Sequence, residues 1–76
     1  HRNKAKRLHQ AGDIVAVEQI LSYVRQHHPG RVIEVDLEEK GGRYLYEIEV
    51  VDSAGEVTEH YFDAKTGKPV KSEIKD

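Results

Sequence analysis

The order of apolar and polar residues divides the chain into two helical stretches followed by four strands. Val17, Ile20, Leu21 and Val24 recur at i, i+3, i+4 and i+7, the spacing that aligns one face of an α-helix. Asp13 stands ahead of this stripe, placed to cap the helix by accepting hydrogen bonds from the amides that follow. Pro29 biases His28 away from helical dihedrals and Gly30 supplies a turn, so the helix is expected over about 14–27. Upstream, about 2–11 are good helix formers with a thin stripe of Ala5, Leu8 and Ala11, a helix too weak to stand alone and closed by Gly12.

Beyond Gly30 the period changes to two. Ile33, Val35 and Leu37 alternate with Glu34, Asp36 and Glu38, which predicts a strand over about 31–39 with one apolar and one acidic face. Lys40-Gly41-Gly42 turns the chain into a second strand, about 43–51, where Tyr44, Tyr46, Ile48 and Val50 oppose Leu45, Glu47, Glu49 and Val51. Asp52-Ser53-Ala54-Gly55 leads to a third strand over about 56–62. Its facing is open by pattern, because Val57, Glu59 and Tyr61 compete with Thr58, His60 and Phe62; Phe62 is assigned inward. After Asp63–Gly67, Val70, Ser72 and Ile74 alternate in a last strand, about 69–74, and Pro69, which cannot donate to a ladder, places it at an edge. Three hairpin-length connections exclude parallel pairing. The fold class is therefore α+β: helices on one face of a four-stranded antiparallel meander.

Seventy-six residues make one small domain, read as a basic helical lead-in over 1–11 and a single unit over 12–76. With 37% apolar and 34% charged residues the core must be thin. The net charge of -2 implies no long-range field, but its distribution is lopsided. Arg2, Lys4, Lys6 and Arg7 open the chain without an acid, whereas residues 31–52 hold seven acids against Arg31, Lys40 and Arg43. The absence of cysteine excludes a disulfide framework, a thiol nucleophile and a thiolate metal site. No apolar run approaches the ~18 residues of a membrane helix.

Candidate chemistry is sparse. Lys65-Thr66-Gly67-Lys68 fails as a phosphate loop, because Phe62 stands where the first glycine belongs and Pro69 where Ser or Thr should follow the lysine. It reads as a turn in which Asp63 and Thr66 tie down backbone amides. His27, His28 and His60 could converge if the third strand runs beneath the end of the second helix, and they are the candidate metal ligands, with His1 a further weak copper ligand. Adjacent helical histidines project about 100° apart, which argues against chelation by His27 and His28 together. Glu34, Asp36, Glu38, Glu47 and Glu49 share the face turned away from the helix. They read as a solvated face, or as a docking surface for a basic partner, and they lack an apolar pocket that would separate their protonation. Asp52 and Glu56 lack the middle ligands of a calcium loop. The basic opening segment has no interleaved aromatics and the sheet beyond it is acidic, so nucleic acid is not the expected partner. No serine, threonine or lysine sits in a nucleophile motif, and neither an enzyme nor a cofactor is expected.

In order along the chain, Gly12-Asp13-Ile14, Ile20-Leu21, His28-Pro29-Gly30, Val35-Asp36-Leu37, Tyr46-Glu47-Ile48-Glu49-Val50 and Asp63-Ala64-Lys65-Thr66-Gly67 resemble the PepSY domain family over about 12–74. Two departures are Pro69, where the family usually has an aliphatic residue, and His60, where an aliphatic residue often faces the core. The resemblance implies structural roles for Pro29, Gly30, Tyr46, Asp63, Thr66 and Gly67 and no catalytic residues. It also implies a periplasmic or secreted interaction module, with an export signal removed before His1, that modulates or inhibits a peptidase or binds a sensor domain or other cell-envelope partner. The alternative is a small-ligand or metal-binding sensor that uses the histidines.

Overall fold

The computed structural model describes residues 2–75, with side chains from Lys4 onward. Helices α1 (Arg2–Gln10) and α2 (Val17–His27) precede strands β1 (Arg31–Lys40), β2 (Arg43–Val51), β3 (Val57–Asp63) and β4 (Pro69–Ile74). The strands pair antiparallel in the order β1-β2-β3-β4, an α+β fold built on a meander. Ile20 and Val24 of α2 are buried with Tyr46, Ile48 and Val50 of β2 and Phe62 of β3. Side chains of this size contribute about 1.5–3 kcal/mol each on leaving water, so this single layer of contacts is the main stabilising element. Phe62 faces inward, 1% exposed, which carries His60 inward and Glu59 and Tyr61 outward by strand parity.

Two local expectations are overturned. Helix α2 begins at Val17, not near residue 14, and Asp13 does not cap it; the N-cap is Ala16, with no side-chain hydrogen bond. The cause is tertiary. Ile14 is buried, the Val15 N–H donates to the Ala64 carbonyl at 2.8 Å, and the Val15 carbonyl accepts from the Tyr46 hydroxyl at 2.7 Å. Backbone held in this way across the sheet cannot also close a helical turn.

The second correction concerns β1. Its register shifts between Val32 and Glu34, so Val32 pairs with Val50 while Ile33 falls out of the inward set and is 46% exposed. A bulge adds one residue to one strand and reverses the facing of everything before it. From Glu34 onward the alternation holds: Val35 and Leu37 pair with Ile48 and Tyr46 on the helix side, and Glu34, Asp36 and Glu38 lie on the other.

The ends of α2 are fixed by close backbone approaches. A Cβ on Gly30 would stand 2.5 Å from the Val51 carbonyl oxygen, and its φ of +146° is one that other residues rarely adopt. At the other end the β3–β4 turn tucks under α2, where a Cβ on Gly67 would meet Gln19 at 3.0 Å. Helix α1 packs Ala5 and Leu8 against the core, and Lys4 Nζ lies 3.4 Å from Glu39 Oε1. No described helix is long and apolar enough to cross a membrane.

Candidate functional site

Three regions of the surface hold the residues singled out from the sequence. The first lies where α2 fails to span the sheet. Among the described residues strand β1 pairs only with β2, so its outer edge is free there, and Val35 on this strand is 42% exposed although it points to the helix side. Between β1 and the two helices runs a groove of about 410 Å³ lined by Lys4, Ala5, Val17, Val35, Leu37 and Tyr46, with Asp36 at its margin. This groove was not legible from the residues in isolation. Its signal is the mismatch between an apolar stripe on one eleven-residue helix and apolar positions on all four strands.

The second region is the C-terminal end of α2. His28 and His60 come together, their rings stacked at 3.9 Å between centroids and 19° from parallel. His60 Nδ1 lies 2.7 Å from Ser72 Oγ. His27 turns to its own helix: its ring stacks on Tyr23 at 4.1 Å and its Nδ1–H donates to the Tyr23 carbonyl at 3.0 Å. The lone pairs of an imidazole lie in the ring plane, so parallel stacked rings direct theirs side by side rather than toward one centre. Burial lowers the pKa of both His28 and His60, and the neighbouring His27 and His28, respectively, lower them further. His1 lies outside the described residues.

The third region is the outer face of the sheet. Glu34, Asp36 and Glu38 of β1 pair across to Glu49, Glu47 and Leu45 of β2, so the five predicted acids do share a face. It is not uniformly solvated: Glu47 is 6% and Glu49 4% exposed. The burial comes from crowding by flanking side chains on both neighbouring strands, which a central strand cannot escape. Glu59 joins them from β3, and one carboxylate oxygen from each of Glu47, Glu49 and Glu59 lies within 4.8 Å of the others. Glu59 was hidden by the ambiguous facing of β3, and placing Phe62 inward is what reveals it. Hydrogen bonding with Glu38, desolvation and hydrogen bonding with Glu59 push the Glu47 carboxyl up to about 8, so its protonation is separated from that of its neighbours without an apolar pocket. Lys75 Nζ lies 3.1 and 3.3 Å from the two Glu49 oxygens, and Lys71 Nζ stands 4.9 Å over the ring of Tyr61.

The family model described as the peptidase propeptide and YPEB domain, PepSY, matches residues 14–73. The chain belongs to the PepSY family. It is 43% identical to YkoJ of Bacillus subtilis (strain 168) over 47 residues, which are 62% of this chain and 28% of that protein. The YpmB protein from Bacillus subtilis has the same fold, with a TM-score of 0.72 at 23% identity over 86% of this chain and 52% of that one. This chain therefore spans about a quarter to a half of the relatives it matches. PepSY domains are typically extracytoplasmic and are generally propeptide-like and non-catalytic.

The PepSY motif residues sit at the joints of the fold. Pro29 and Gly30 carry the chain from α2 into β1, and Tyr46 ties β2 to the α1–α2 connection through Val15. Asp63 Oδ2 accepts from Arg43 Nη2 at 2.9 Å, and Oδ1 accepts from the Lys65 and Thr66 amides at 2.8 and 3.2 Å. The Arg43 bond, with these amides, holds the Asp63 carboxyl below its ordinary range. Thr66 Oγ1 accepts from the Lys68 amide at 3.2 Å and Gly67 turns with φ +81°. Of the basic lead-in, Lys6 and Arg7 are exposed, Lys4 faces Glu39, and the Arg2 side chain lies outside those described.

Proposed function

We propose that this PepSY domain is a non-catalytic extracytoplasmic interaction module that captures an extended segment of a protein partner, a peptidase or another cell-envelope protein, along the β1 edge. The observation that carries this reading is the free edge of β1 standing beside a partly apolar groove, in a chain matched by a peptidase-propeptide family. An added strand would gain main-chain hydrogen bonds from Glu34–Lys40, which is regular beyond the bulge, and place alternate side chains toward the groove. Residues facing the other way would meet Asp36 and Glu38, so the segment that fits alternates apolar and basic positions. The opposite edge is less receptive. Strand β4 opens with Pro69, carries a register shift against β3, and bears Lys71.

The test is calorimetry of the purified chain against extracytoplasmic peptidases of the source cell, with peptide hydrolysis followed in parallel. Saturable micromolar binding that changes the hydrolysis rate, and that Val35→Glu weakens at least tenfold while the far-UV spectrum is retained, is the expected result. Binding unaffected by Val35→Glu would remove the β1 edge from the reading. No binding to any peptidase or sensor domain would remove the partner class.

A further inference from the structure

Strand β4 is the second edge of the sheet. Among the described residues it pairs only with β3, and every residue of Pro69–Ile74 is exposed. Two large apolar side chains stand in the open on it, Val70 at 47% and Ile74 at 63%, two residues to either side of Ser72. Between them Lys71 and Glu73 point to the outer face, with Lys71 Nζ 3.5 Å from Glu73 Oε2. The residue of β3 that faces Glu73 is Glu59, and like charges directly opposite one another are destabilising. The Lys75 N–H donates to the Val57 carbonyl at 2.8 Å, so by ladder alternation Ile74 and Ser72 turn their own N–H and C=O groups away from β3 to the open side. Free backbone groups flanked by exposed apolar side chains are a template for one more strand.

We infer that β4 pairs with β4 of a second copy of this chain, antiparallel about a two-fold axis through Ser72. The run Val70-Lys71-Ser72-Glu73-Ile74 is complementary to its own reverse. Placed against a copy with Ser72 opposite Ser72, it sets Lys71 opposite the copy's Glu73 and Val70 opposite the copy's Ile74, and both matches recur on the other side of the axis. The two Ser72 backbones, turned outward, exchange N–H···O=C bonds with each other, which leaves Lys71 and Glu73 in the non-hydrogen-bonded pairs, where side chains approach most closely. Each Glu73 thereby gains a second lysine against the repulsion of Glu59. Neighbouring registers fail, since an axis through Lys71 or Glu73 puts like charges face to face. Strand β1 fails as well: any two-fold pairing centred within Glu34–Glu38 sets acid against acid among Glu34, Asp36 and Glu38. Pro69, which has no N–H to donate, lies outside the Val70–Ile74 ladder, and Lys71, which deters a foreign strand, is matched by Glu73 of the copy. The pairing closes at two chains and joins two four-stranded sheets with the helices on one side. Both β1 edges stay at the outer ends, so the dimer does not depend on the docking proposed there.

The experiment is sedimentation equilibrium of the purified chain over a range of concentrations. One strand pair makes an interface below the ~1,200 Å² of standard complexes, so a weak dimer is expected, with Kd on the order of 0.1 mM and a mass that levels at two chains by about 2 mM. Lys71→Glu and Glu73→Lys should each weaken association about tenfold or more, because each places like charges opposite one another at both ends of the pairing. Mixed in equal amounts, these two variants should associate with each other about as the parent does, since every Glu then faces a Lys. The doubly exchanged chain, Lys71→Glu with Glu73→Lys, should likewise recover the dimer. Val35→Glu, on the far edge, should leave it unchanged. All these positions are exposed, and far-UV spectra with Tm establish that each variant is folded. The inference is overturned if the parent keeps the mass of one chain up to about 2 mM, well above the expected Kd. It is also overturned if the mass climbs past two chains, as head-to-tail pairing of β4 with β1 would produce, if either single exchange associates as the parent does, or if the mixture and the double exchange fail to recover.

Discussion

The two faces of the same sheet reach equal burial by unlike means. On the helix side, Tyr46 and Val50 are 3% and 4% exposed because α2 lies over them. On the other side, Glu47 and Glu49 of the same strand are 6% and 4% exposed with no helix above them. A covering layer provides an apolar environment in which apolar atoms gain by leaving water. Crowding by neighbours removes water without supplying an apolar cover, and hydrogen bonding with Glu38 together with this desolvation raises the proton affinity of Glu47. Fractional exposure is therefore a poor guide to what a residue contributes; the identity of the groups that exclude the water decides it.

The sharpest way to break this contrast is to empty the covered face. Phe62→Ala should cost about 3–5 kcal/mol in guanidinium unfolding, a large share of what a domain of this size holds. A loss under about 1 kcal/mol, the range of surface positions, would mean that the helix-covered face does not carry the stability. Tyr46→Phe should cost less, about 0.5–1.5 kcal/mol, since it removes only the hydroxyl donated to Val15 and leaves the ring in place. An unchanged midpoint would show that the α1–α2 connection holds itself.

The pH dependence of stability sharpens the outer face. Glu47 has its carboxyl pushed up to about 8 from an ordinary 4.5, so the folded chain holds this proton more tightly than the unfolded one. Its contribution is complete below pH 4.5 and is lost as pH rises through about 8. His28 and His60 have the opposite sign: lowered from 6.5, they favour the fold fully above that pH and less as pH falls below it. The Tm should thus rise from pH 9 to 6.5 and level or turn downward below. Glu47→Gln should flatten the upper limb and steepen the decline below pH 6.5, where the contribution of this carboxyl otherwise still grows down to about 4.5. A Tm that falls steadily between pH 9 and 6.5 would contradict the assignment of the raised carboxyl.

Much of the architecture was legible because hairpin loops leave few topologies. Asp52–Gly55 and Asp63–Gly67 are too short for any crossover, and the stripe Val17, Ile20, Leu21, Val24 had only one surface to cover. The acidic face was legible by parity from Glu34, Asp36, Glu38, Glu47 and Glu49. Local rules failed where distant partners intervened. Asp13 has the chemistry of a helix cap, but Val15 is held by Ala64 and Tyr46, about fifty and thirty residues away in the chain. Ile33 fits the alternation on paper, and a single bulged residue excludes it. Among candidate site residues, His28 and His60 meet as their elements allow, but the stacking of their rings depends on side-chain packing that no spacing encodes.

The order of residues alone determined that helices would be followed by an antiparallel ribbon and which side of each regular strand would be acidic, because period and turn chemistry act over a few neighbours. Tertiary structure alone decided where α2 begins, that Glu59 completes a triad with Glu47 and Glu49, and that β1 is left with an open groove. Each of these follows from contacts between segments far apart in the chain, whose outcome depends on register and on how far one short helix can reach across four strands.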